Sequence, residues 1–540
     1  MKIKINGKIV RAEEGSTILE AAKKEGLEIP SLCSHPDVCT KGSCRVCMVQ
    51  VKGVGYLPAC ATKVEERMEV ITHNPELEKI RRINLELLFS QHKEECHDCV
   101  WNPGCKLLSL ARKYFVKINR FDDRKDGYPE LNFGGVIDFD SSKCIDCREC
   151  LEVCPVNFLE MEGRGHMTEI VPSEDRNCIY CGQCINHCPA GAFESVGEFE
   201  SVEDPFDEGR EVFFQIAPAA RVSISEEFDM KPGTVSTGKL VAGLKKIGAE
   251  KVYDVAMGAD FTTKLEAEEF LEKNDEELPM FTSCCPSWVR FIEAYYPEFV
   301  DNLTTVRSPH MIMGGVIKEL SDDDPVVVSV MPCTSKKHEI KRVKDEKPVD
   351  YVLTVREVGR LLRDKGVDFK NLDSLDFDNP FGKGSRDGVT YGVSGGVMEA
   401  ALKEAYKLKT GEKLKDKNLK DKDGFSFDLD GKEINTLKVS GIENAKKLLD
   451  KLKRNPDLYD YVEFMACEGG CIGGGGQPVP TDPKIRRARR KGLKKAGSKK
   501  KIESSFENKK IDKILKKIND NNLFFTSFKK VNEAENIDTN

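Results

Sequence analysis

One cysteine pattern occurs twice in the sequence and constrains the fold more than any other feature. Its copies are Cys144-x2-Cys147-x2-Cys150-x3-Cys154-Pro155 and Cys178-x2-Cys181-x2-Cys184-x3-Cys188-Pro189. In such pairs each loop wraps three thiolates around one four-iron cluster, and the fourth cysteine binds the cluster of the other run. We therefore expect clusters at Cys144, Cys147, Cys150 and Cys188, and at Cys178, Cys181, Cys184 and Cys154. Two structural zinc sites are the alternative, which the duplicated spacing and the trailing prolines disfavour.

The other cysteines also point to metal rather than to disulfide bonds. The chain has 21 cysteines among 540 residues, and its N-terminus shows neither a secretory apolar core nor a transit-peptide composition. No apolar run is long enough to cross a membrane. We expect a cytoplasmic protein, in a reducing compartment where clustered cysteines are usually metal ligands. Sixteen cysteines lie between residues 33 and 188, which predicts small metal-binding modules in front of a larger conventional domain.

The N-terminal segment has the element order of a β-grasp ferredoxin. Asn6-Gly7 suits a type I′ turn between two short strands. Thr17 and Glu20 fit a capping box, and Gly26 is placed to end the helix that follows. A cysteine loop comes next, so the segment predicts a small iron–sulfur module.

This loop offers two choices for the first ligand of a 2Fe-2S cluster. The preferred set is Cys33, Cys44, Cys47 and Cys60. Cys39 is the alternative to Cys33, because Cys39-x4-Cys44-x2-Cys47 is the plant-type spacing. Leu32 and the His35-Pro36 turn favour Cys33, since they resemble cluster loops with a long first gap.

A third small module contains three cysteines and a histidine. Its pattern is His92-x3-Cys96-x2-Cys99-x5-Cys105. Three cysteines cannot complete a four-iron cluster, and His92 lies one helical turn before Cys96. His97 competes as the fourth ligand, but it is adjacent to Cys96 and would point elsewhere. An imidazole ligand removes negative charge and raises the reduction potential, as in Rieske centres.

The back half of the chain alternates helical stretches with short apolar runs, which predicts an α/β domain with a largely parallel sheet. The helical stretches are 237–247, 264–272, 287–295 and 396–408, and the clearest strand is 325–331. Each of three cysteine-bearing segments follows an apolar run, at the edge of a parallel sheet where ligands bind. Cys285, Cys333, Cys467 and Cys471 from these segments can close one more cubane.

The C-terminal segment is strongly basic. From Lys484 to Lys501 there are eleven basic residues and no acidic one. Such blocks are usually solvated or disordered. We expect a mobile tail over residues 481–540, which either keeps the chain soluble or docks an acidic redox partner.

The three back-half segments resemble the signature of the FeFe-hydrogenases, TSCCPxW, MPCxxKxxE and ExMACxxGCxxGGGQP. The matching residues begin at Thr282, Met331 and Glu463. The resemblance implies an H-cluster, a cubane joined to a two-iron subsite that carries carbon monoxide, cyanide and a dithiolate. It implies that Cys285, Cys333, Cys467 and Cys471 hold the cubane, with Cys471 as the bridge to the two-iron subsite.

The resemblance also implies a proton relay and a cofactor pocket. Cys284 matches the relay thiol, Glu266 and Glu269 match two relay glutamates one helical turn apart, and Thr304 matches a relay serine. Without the family match, a solvated helix face is the usual explanation for such glutamates. Lys336 matches a lysine that contacts a cyanide ligand. The other implied pocket residues are Met331, Met465, Ala217, Pro218 and Ala219.

Together these patterns predict a multidomain hydrogenase. The expected units are a β-grasp 2Fe-2S ferredoxin-like domain (1–78), a small His/Cys3 4Fe-4S domain (79–120), an α+β two-cluster 4Fe-4S ferredoxin domain (135–200), an α/β H-cluster domain (209–480) and the tail. The expected reaction is the reversible interconversion of protons and electrons with H2, with ferredoxin or a similar carrier as the electron partner.

Two other functions remain open at this point. The chain could be the catalytic subunit of an NAD(P)-linked or electron-bifurcating complex, with the nucleotide on a partner subunit because no Gly-rich nucleotide fingerprint is evident. It could also be a non-catalytic iron–sulfur redox or assembly protein, although such relatives lose parts of the three signatures. No nucleic-acid or membrane partner is expected.

Overall fold

The structure is a computed structural model. It describes residues 1–530 except 39–40, 93, 95, 97–98, 100, 103, 123–129, 164–167, 323, 344–346, 415–423 and 519. The two alternative ligands, Cys39 and His97, lie outside the described residues. None of the helices in the described part of the chain has the length and apolar character needed to span a bilayer.

The N-terminal module is a mixed five-stranded sheet covered by one helix. Its elements are β1 (Lys2–Ile5), β2 (Lys8–Arg11), α1 (Ile18–Lys24), β3 (Met48–Val51), β4 (Gly55–Pro58) and β5 (Glu69–Ile71). The strand order is β2-β1-β5-β3-β4, with β1 and β5 parallel. The hairpin and the capping box are confirmed: Asn6 and Gly7 have positive φ, and Thr17 and Glu20 cap each other's backbone.

The middle of the chain contains small sheets and short helices. Its elements are α2 (Pro75–Phe89), α3 (Lys106–Lys113), β6 (Glu130–Phe133), β7 (Ile137–Asp140), α4 (Glu149–Val153), β8 (Leu159–Glu162), β9 (Glu169–Pro172), α5 (Gln183–His187) and β10 (Phe193–Ser195). Helices α4 and α5 each lie within one of the two cysteine repeats, and they pack against each other. Arg148 and Gly182, at matching positions before them, both have left-handed backbone conformations. The duplicated sequence therefore folds into a duplicated backbone.

Two four-stranded sheets form the large C-terminal part. The first contains β11 (Val212–Ile216), β12 (Lys251–Asp254), β14 (Val326–Met331) and β15 (Tyr351–Thr354). It is wholly parallel, in the order β12-β11-β14-β15. The second contains β13 (Met280–Phe281), β16 (Gly424–Leu429), β17 (Lys432–Ser440) and β18 (Tyr461–Met465), in the order β13-β18-β17-β16. Only β16 runs antiparallel to its neighbour in that sheet.

Helices cover both sheets. They are α6 (Phe199–Asp207), α7 (Thr237–Lys246), α8 (Val255–Glu272), α9 (Pro286–Tyr295), α10 (Pro309–Leu320), α11 (Ser335–Lys341), α12 (Val355–Asp364), α13 (Arg386–Thr390), α14 (Gly396–Thr410), α15 (Ile442–Leu452), α16 (Pro483–Gly497) and α17 (Lys509–Leu515). The four expected helical stretches and the expected strand are all present. The stretch 264–272 is only the second half of α8, whose first half is buried on all sides and so has no amphipathic stripe.

The expectation of a mobile tail over 481–540 is wrong for the part described, residues 481–518 and 520–530. Helix α16 places Arg489, Leu493 and Ala496 on one buried face, and most of its other basic side chains are exposed. Arg486 donates two hydrogen bonds to Asp37, at 2.6 and 2.9 Å, which ties α16 to the N-terminal module. The run of basic residues is therefore an amphipathic helix, whose buried stripe the charge count does not reveal.

Candidate functional site

A cavity lies where four parallel strands end. Strands β11 and β14 of one sheet and β13 and β18 of the other lead into the loops that form it. The cavity measures about 650 Å³ together with the solvent space that opens onto it. Ten of the residues named from the sequence line it: Ala217, Pro218, Ala219, Cys284, Cys285, Met331, Cys333, Lys336, Met465 and Cys471. The ends of parallel strands are where α/β sheets bind ligands.

Four thiols from three separate loops meet beside this cavity: Cys285, Cys333, and Cys467 with Cys471 from one loop. Burial raises the pKa of Cys467, and the charges of Cys333, Cys285 and Cys471 add to the effect. Burial also raises the pKa of Cys471 to about 12, with added contributions from Cys285 and Cys333. Cys285, Cys333 and Cys471 also line the same cavity, which places them together, and Cys467 is charge-coupled to all three. Four converging thiols are the donor set that a cubane requires, so the residues present fit an iron–sulfur group.

The glycine-rich segment after Cys471 packs against backbone. A Cβ atom on Gly474 would lie 2.2 Å from the carbonyl oxygen of Pro332, and one on Gly475 would lie 2.3 Å from that of Cys181. These glycines therefore let the cysteine-bearing loops approach one another.

A buried hydrogen-bond network fixes Lys336 at the cavity wall. Its Nζ atom donates to the Cys284 carbonyl oxygen at 3.1 Å, to Ser308 Oγ at 2.8 Å and to Glu339 Oε2 at 2.7 Å. His310 Nε2 lies 2.7 Å from the same Glu339 oxygen. Burial opposes ionisation of Glu339, but Lys336 and His310 hold its pKa below the ordinary value. A positive charge is thus retained at the wall. Sequence reasoning missed Ser308 and His310, which belong to no recognised motif.

The four residues assigned to proton relay form two pairs. Thr304 and Glu269 are joined by a hydrogen bond, and Glu266 and Cys284 are coupled through charge. Thr304 Oγ1 donates to Glu269 Oε2 at 2.6 Å. Burial raises the pKa of Cys284, and the charge of Glu266 is the next largest contribution. Glu269 is half-buried, whereas Glu266 is 1 % exposed. The set therefore extends from near the surface to the cavity.

Glu266 has a buried partner that the sequence did not indicate. The hydroxyl of Tyr461 donates to Glu266 Oε1 at 2.8 Å. Burial raises the pKa of Glu266 to about 8, and the charges of Glu269 and Glu463 raise it further, while Tyr461 lowers it. Tyr461 pairs with Met280 where strand β18 runs beside β13, and it belongs to no sequence motif. Glu266 is consequently protonated at neutral pH.

Substitution of Glu266 by glutamine should change how stability depends on pH. The pKa of Glu266 is about 8 in the folded chain against 4.5 ordinarily. Between these values the unfolded chain releases a proton that the folded chain keeps, so the free energy of unfolding falls as pH rises. The slope is up to about 1.4 kcal/mol per pH unit. In thermal melting, the Tm of wild type should fall relative to that of Glu266→Gln as the pH is raised from 5 to 8. The exposed Glu272→Gln variant is the control, and equal pH slopes for Glu266→Gln and wild type would contradict the shift.

The duplicated cysteine runs interleave in the structure. Burial raises the pKa of Cys147, and its charged neighbours are Cys188, Cys150 and Cys144. The neighbours of Cys184 are Cys181, Cys178, Cys150 and Cys154. Cys154 and Cys188 each lie with the other run, which is the arrangement that the spacing predicts. The two ligand sets themselves stay predictions.

The N-terminal loop brings four buried cysteines together. Cys33 Sγ lies 3.2 Å from Cys44 Sγ, and Cys47 Sγ lies 3.1 Å from Cys60 Sγ. A hydrogen bond between Cys33 and Cys60 joins the two pairs. This geometry fits the preferred set. The competing residue, Cys39, lies outside the described residues.

The third module gives a less complete picture. Cys96 and Cys99 both have Cys105 as a charged neighbour. His92 Nδ1 lies 2.8 Å from the Lys143 carbonyl oxygen. This bond orients the ring and leaves Nε2 for a metal, as is usual for ligating histidines. No contact joins His92 to the three cysteines among the described residues, so its role stays a prediction.

Residues next to the cysteines link the cysteine sets in a definite order. Burial and the Cys33 charge raise the pKa of Glu149, next to Cys150, to about 8. Trp101 Nε1, beside Cys99, donates to the Cys188 carbonyl oxygen at 2.6 Å. At the other end, Gln183 Nε2 lies 3.3 Å from Cys467 Sγ. Both front modules therefore adjoin the Cys144 set, and the Cys178 set adjoins the cavity.

Comparisons with known proteins agree with this arrangement. Models of three families match: the iron only hydrogenase large subunit, C-terminal domain, over residues 210–475, a 2Fe-2S iron-sulfur cluster binding domain over 1–75, and a 4Fe-4S dicluster domain over 143–192. The NADP-reducing hydrogenase subunit HndD of Solidesulfovibrio fructosivorans is 36% identical over 96% of this chain and 95% of its own. The chain belongs to the FeFe-hydrogenase family. The resemblance drawn from the three motifs is confirmed.

Other relatives of this FeFe-hydrogenase support the same conclusion. Iron hydrogenase 1 of Clostridium pasteurianum is 33% identical over 88% of each chain. A solved structure of a variant of the [FeFe]-hydrogenase HydA1 from Chlamydomonas reinhardtii has a TM-score of 0.52 and 31% identity, and covers 59% of this chain and 94% of that one. The hydrogenase is thus a multidomain oxidoreductase, with ferredoxin-like iron–sulfur domains before a catalytic domain that carries an H-cluster.

Proposed function

We propose that this hydrogenase interconverts protons and electrons with H2 at an H-cluster held by Cys285, Cys333, Cys467 and Cys471. The observation that carries the proposal is the meeting of these four thiols beside a cavity that also contains the separate thiol of Cys284. Cys471 is the thiol assigned to both the cubane and the two-iron subsite. When bound, the two-iron subsite with its carbon monoxide, cyanide and dithiolate ligands supplies the redox chemistry of hydrogen.

The chain's own residues create the environment of this chemistry. Met331 and Met465 line the cavity with apolar side chains that exclude water. Lys336 supplies a positive charge that Glu339 and Ser308 hold in place, which suits an anionic cyanide ligand. Ala217, Pro218 and Ala219 form the facing wall.

Protons reach the cavity through Glu269, Thr304, Glu266 and Cys284 in this proposal. Two features support the path: the hydrogen bond from Thr304 to Glu269, and the charge coupling of Glu266 to Cys284. A pKa of about 8 suits Glu266 to this task, since a group that gains and loses protons near the working pH transfers them efficiently.

Electrons are proposed to travel along the order of the cysteine sets. The Cys33 set would hold one 2Fe-2S cluster, and three 4Fe-4S clusters would occupy the His92, Cys144 and Cys178 sets. The charge coupling of Glu149 to Cys33 and the hydrogen bond from Trp101 to the Cys188 carbonyl oxygen support two entry points that join at the Cys144 set. Ferredoxin or a similar protein carrier is the proposed partner.

The function is tested by gas chromatography of the matured protein supplied with a reduced one-electron dye. The proposal predicts H2 formation, and H2 uptake when the dye is oxidised. A protein that carries its full complement of iron yet shows neither reaction would be a non-catalytic redox or assembly protein instead.

A second candidate function is that of catalytic subunit in an NADP-linked complex. The similarity to HndD, an NADP-reducing hydrogenase subunit, extends over 96% of this chain and favours it. Because the sequence has no evident Gly-rich nucleotide fingerprint, the isolated chain should not oxidise NADPH. Co-purification with a nucleotide-binding partner that confers NADPH-dependent H2 formation would establish this role.

A further inference from the structure

Two histidines and an aspartate from distant parts of the chain meet at one point. His35 and Asp37 belong to the N-terminal cysteine loop, and His187 ends helix α5, next to Cys188. One ligand atom of each residue lies within 4.8 Å of the other two. Asp37 Oδ2 is 3.7 Å from His35 Nδ1 and 3.7 Å from His187 Nε2. This histidine–aspartate site shares no residue with the ligand sets assigned to iron.

Backbone carbonyl groups hold both imidazole rings from the far side. His187 Nδ1 lies 2.8 Å from the Gln183 carbonyl oxygen, and His35 Nε2 lies 2.9 Å from that of Thr481. A carbonyl oxygen only accepts, so each of these nitrogens carries the hydrogen of its neutral ring. The lone pairs are therefore on His187 Nε2 and His35 Nδ1, the two atoms beside Asp37. Histidines that bind metal ions are almost always oriented by such a hydrogen bond from the other nitrogen.

The protein itself does little to satisfy these two lone pairs. His187 is 5 % exposed, and its Nε2 atom has no hydrogen-bond partner among the residues that the structure describes. The 3.7 Å between this atom and Asp37 Oδ2 is too long for a hydrogen bond. His35 Nδ1 accepts one long hydrogen bond, at 3.3 Å, from the Asp37 backbone N–H. A metal ion at this point replaces one weak hydrogen bond and gives the buried His187 nitrogen a partner.

The separations between the ligand atoms suit a zinc ion. Atoms bound about 2.1 Å from zinc, at angles of about 110–120°, stand about 3.4–3.6 Å apart. The two observed separations of 3.7 Å therefore need only a small closing movement. Arg486 donates to both oxygens of Asp37, and ligating carboxylates are commonly oriented by hydrogen bonds of this kind. Each carboxylate oxygen keeps a lone pair for the ion.

We propose that His35, Asp37 and His187 bind a divalent cation of the zinc type, with water in the remaining position. Two imidazoles and one carboxylate are a ligand set that zinc accepts. The ion ties the N-terminal module to the module that contains the two cysteine repeats. Thr481 and Arg486 bring the C-terminal part of the chain to the same point. The proposal goes beyond the proposed function and does not depend on the H-cluster.

The test counts zinc in the full chain with its iron–sulfur clusters loaded. The protein is equilibrated with zinc sulfate and desalted, and bound zinc is measured by mass spectrometry of the elements. Wild type should retain one more zinc ion per chain than Asp37→Asn or His187→Gln. His73→Gln is the matched control, because His73 is an exposed histidine of the same N-terminal module, and it should retain as much zinc as wild type. A zinc content of Asp37→Asn equal to that of wild type would overturn the proposal.

X-ray absorption at the zinc edge separates this site from stray binding to cysteine. In wild type the zinc should have only nitrogen and oxygen neighbours, at about 2.0–2.2 Å. Sulfur neighbours at about 2.3 Å would place the zinc on cysteine and overturn the proposal. Iron content is measured in every variant. If His187→Gln lost iron because His187 adjoins Cys188, Asp37→Asn and the absorption spectrum would still decide the question.

Discussion

Replacement of Cys284 by alanine should lower hydrogen turnover by about 10²–10⁴-fold, the range typical of a lost proton-transfer group. Cys284 lines the cavity but is not one of the four thiols assigned to the cubane. Its neighbour Glu266 keeps a proton at neutral pH. Removing the Cys284 thiol interrupts the path between Glu266 and the cavity without removing a ligand.

Two comparisons separate relay from structural damage in this variant. Iron content and the infrared bands of Cys284→Ala should remain close to those of wild type. Ser283→Ala is the neighbouring control, because Ser283 Oγ donates to the Val306 carbonyl oxygen at 3.1 Å, and the variant should retain turnover. Wild-type turnover in a fully loaded Cys284→Ala protein would remove Cys284 from the relay.

Replacement of Arg489 by alanine should destabilise the protein by about 3–5 kcal/mol, since it leaves a buried carboxylate without its partner. Arg489 is fully buried, and its guanidinium donates to both carboxylate oxygens of Glu226 at 2.8 and 2.7 Å. It also donates to the carbonyl oxygens of Ile472 and Pro478, both at 3.0 Å. Chemical denaturation measures the loss.

The exposed neighbour Arg487 provides the control for this prediction. Arg487→Ala should change the free energy of unfolding by less than about 0.5 kcal/mol. The double variant Arg489→Met/Glu226→Leu should recover much of the loss, because it leaves no unpaired buried charge. If Arg489→Ala were as stable as Arg487→Ala, helix α16 would not be the packed element described above. Deletion of residues 484–540 would accordingly test folding rather than partner docking.

The sequence predicted those parts of the structure that depend on short-range chemistry. Asn6-Gly7 and the Thr17–Glu20 capping box determine local backbone geometry, and both are present. The cysteine spacing predicted the interleaving of the two repeats. The three closely spaced cysteines of each loop reach only one face of a cluster, so the fourth ligand must come from the other repeat. The ends of parallel strands likewise account for the meeting of distant cysteine loops at one cavity.

Long-range packing explains what the sequence did not predict. The partners Tyr461 of Glu266 and His310 of Glu339 lie 195 and 29 positions away along the chain, so no spacing rule connects them. The basic C-terminal run was misinterpreted because its net charge outweighed a buried stripe of three residues on α16. Arg489 can be buried on that stripe because it pairs with Glu226, which lies 263 positions away along the chain.

Cys285, Cys333, Cys467 and Cys471 are proposed to hold one cubane that bears a two-iron subsite. An infrared spectrum of the matured protein tests this proposal most directly. Carbon monoxide and cyanide stretching bands are expected in wild type, and they should disappear in Cys471→Ala, which removes the thiol assigned to both parts of the cofactor. A wild-type protein with its iron–sulfur clusters loaded but without these bands, or bands that persist unchanged in Cys471→Ala, would contradict this proposal.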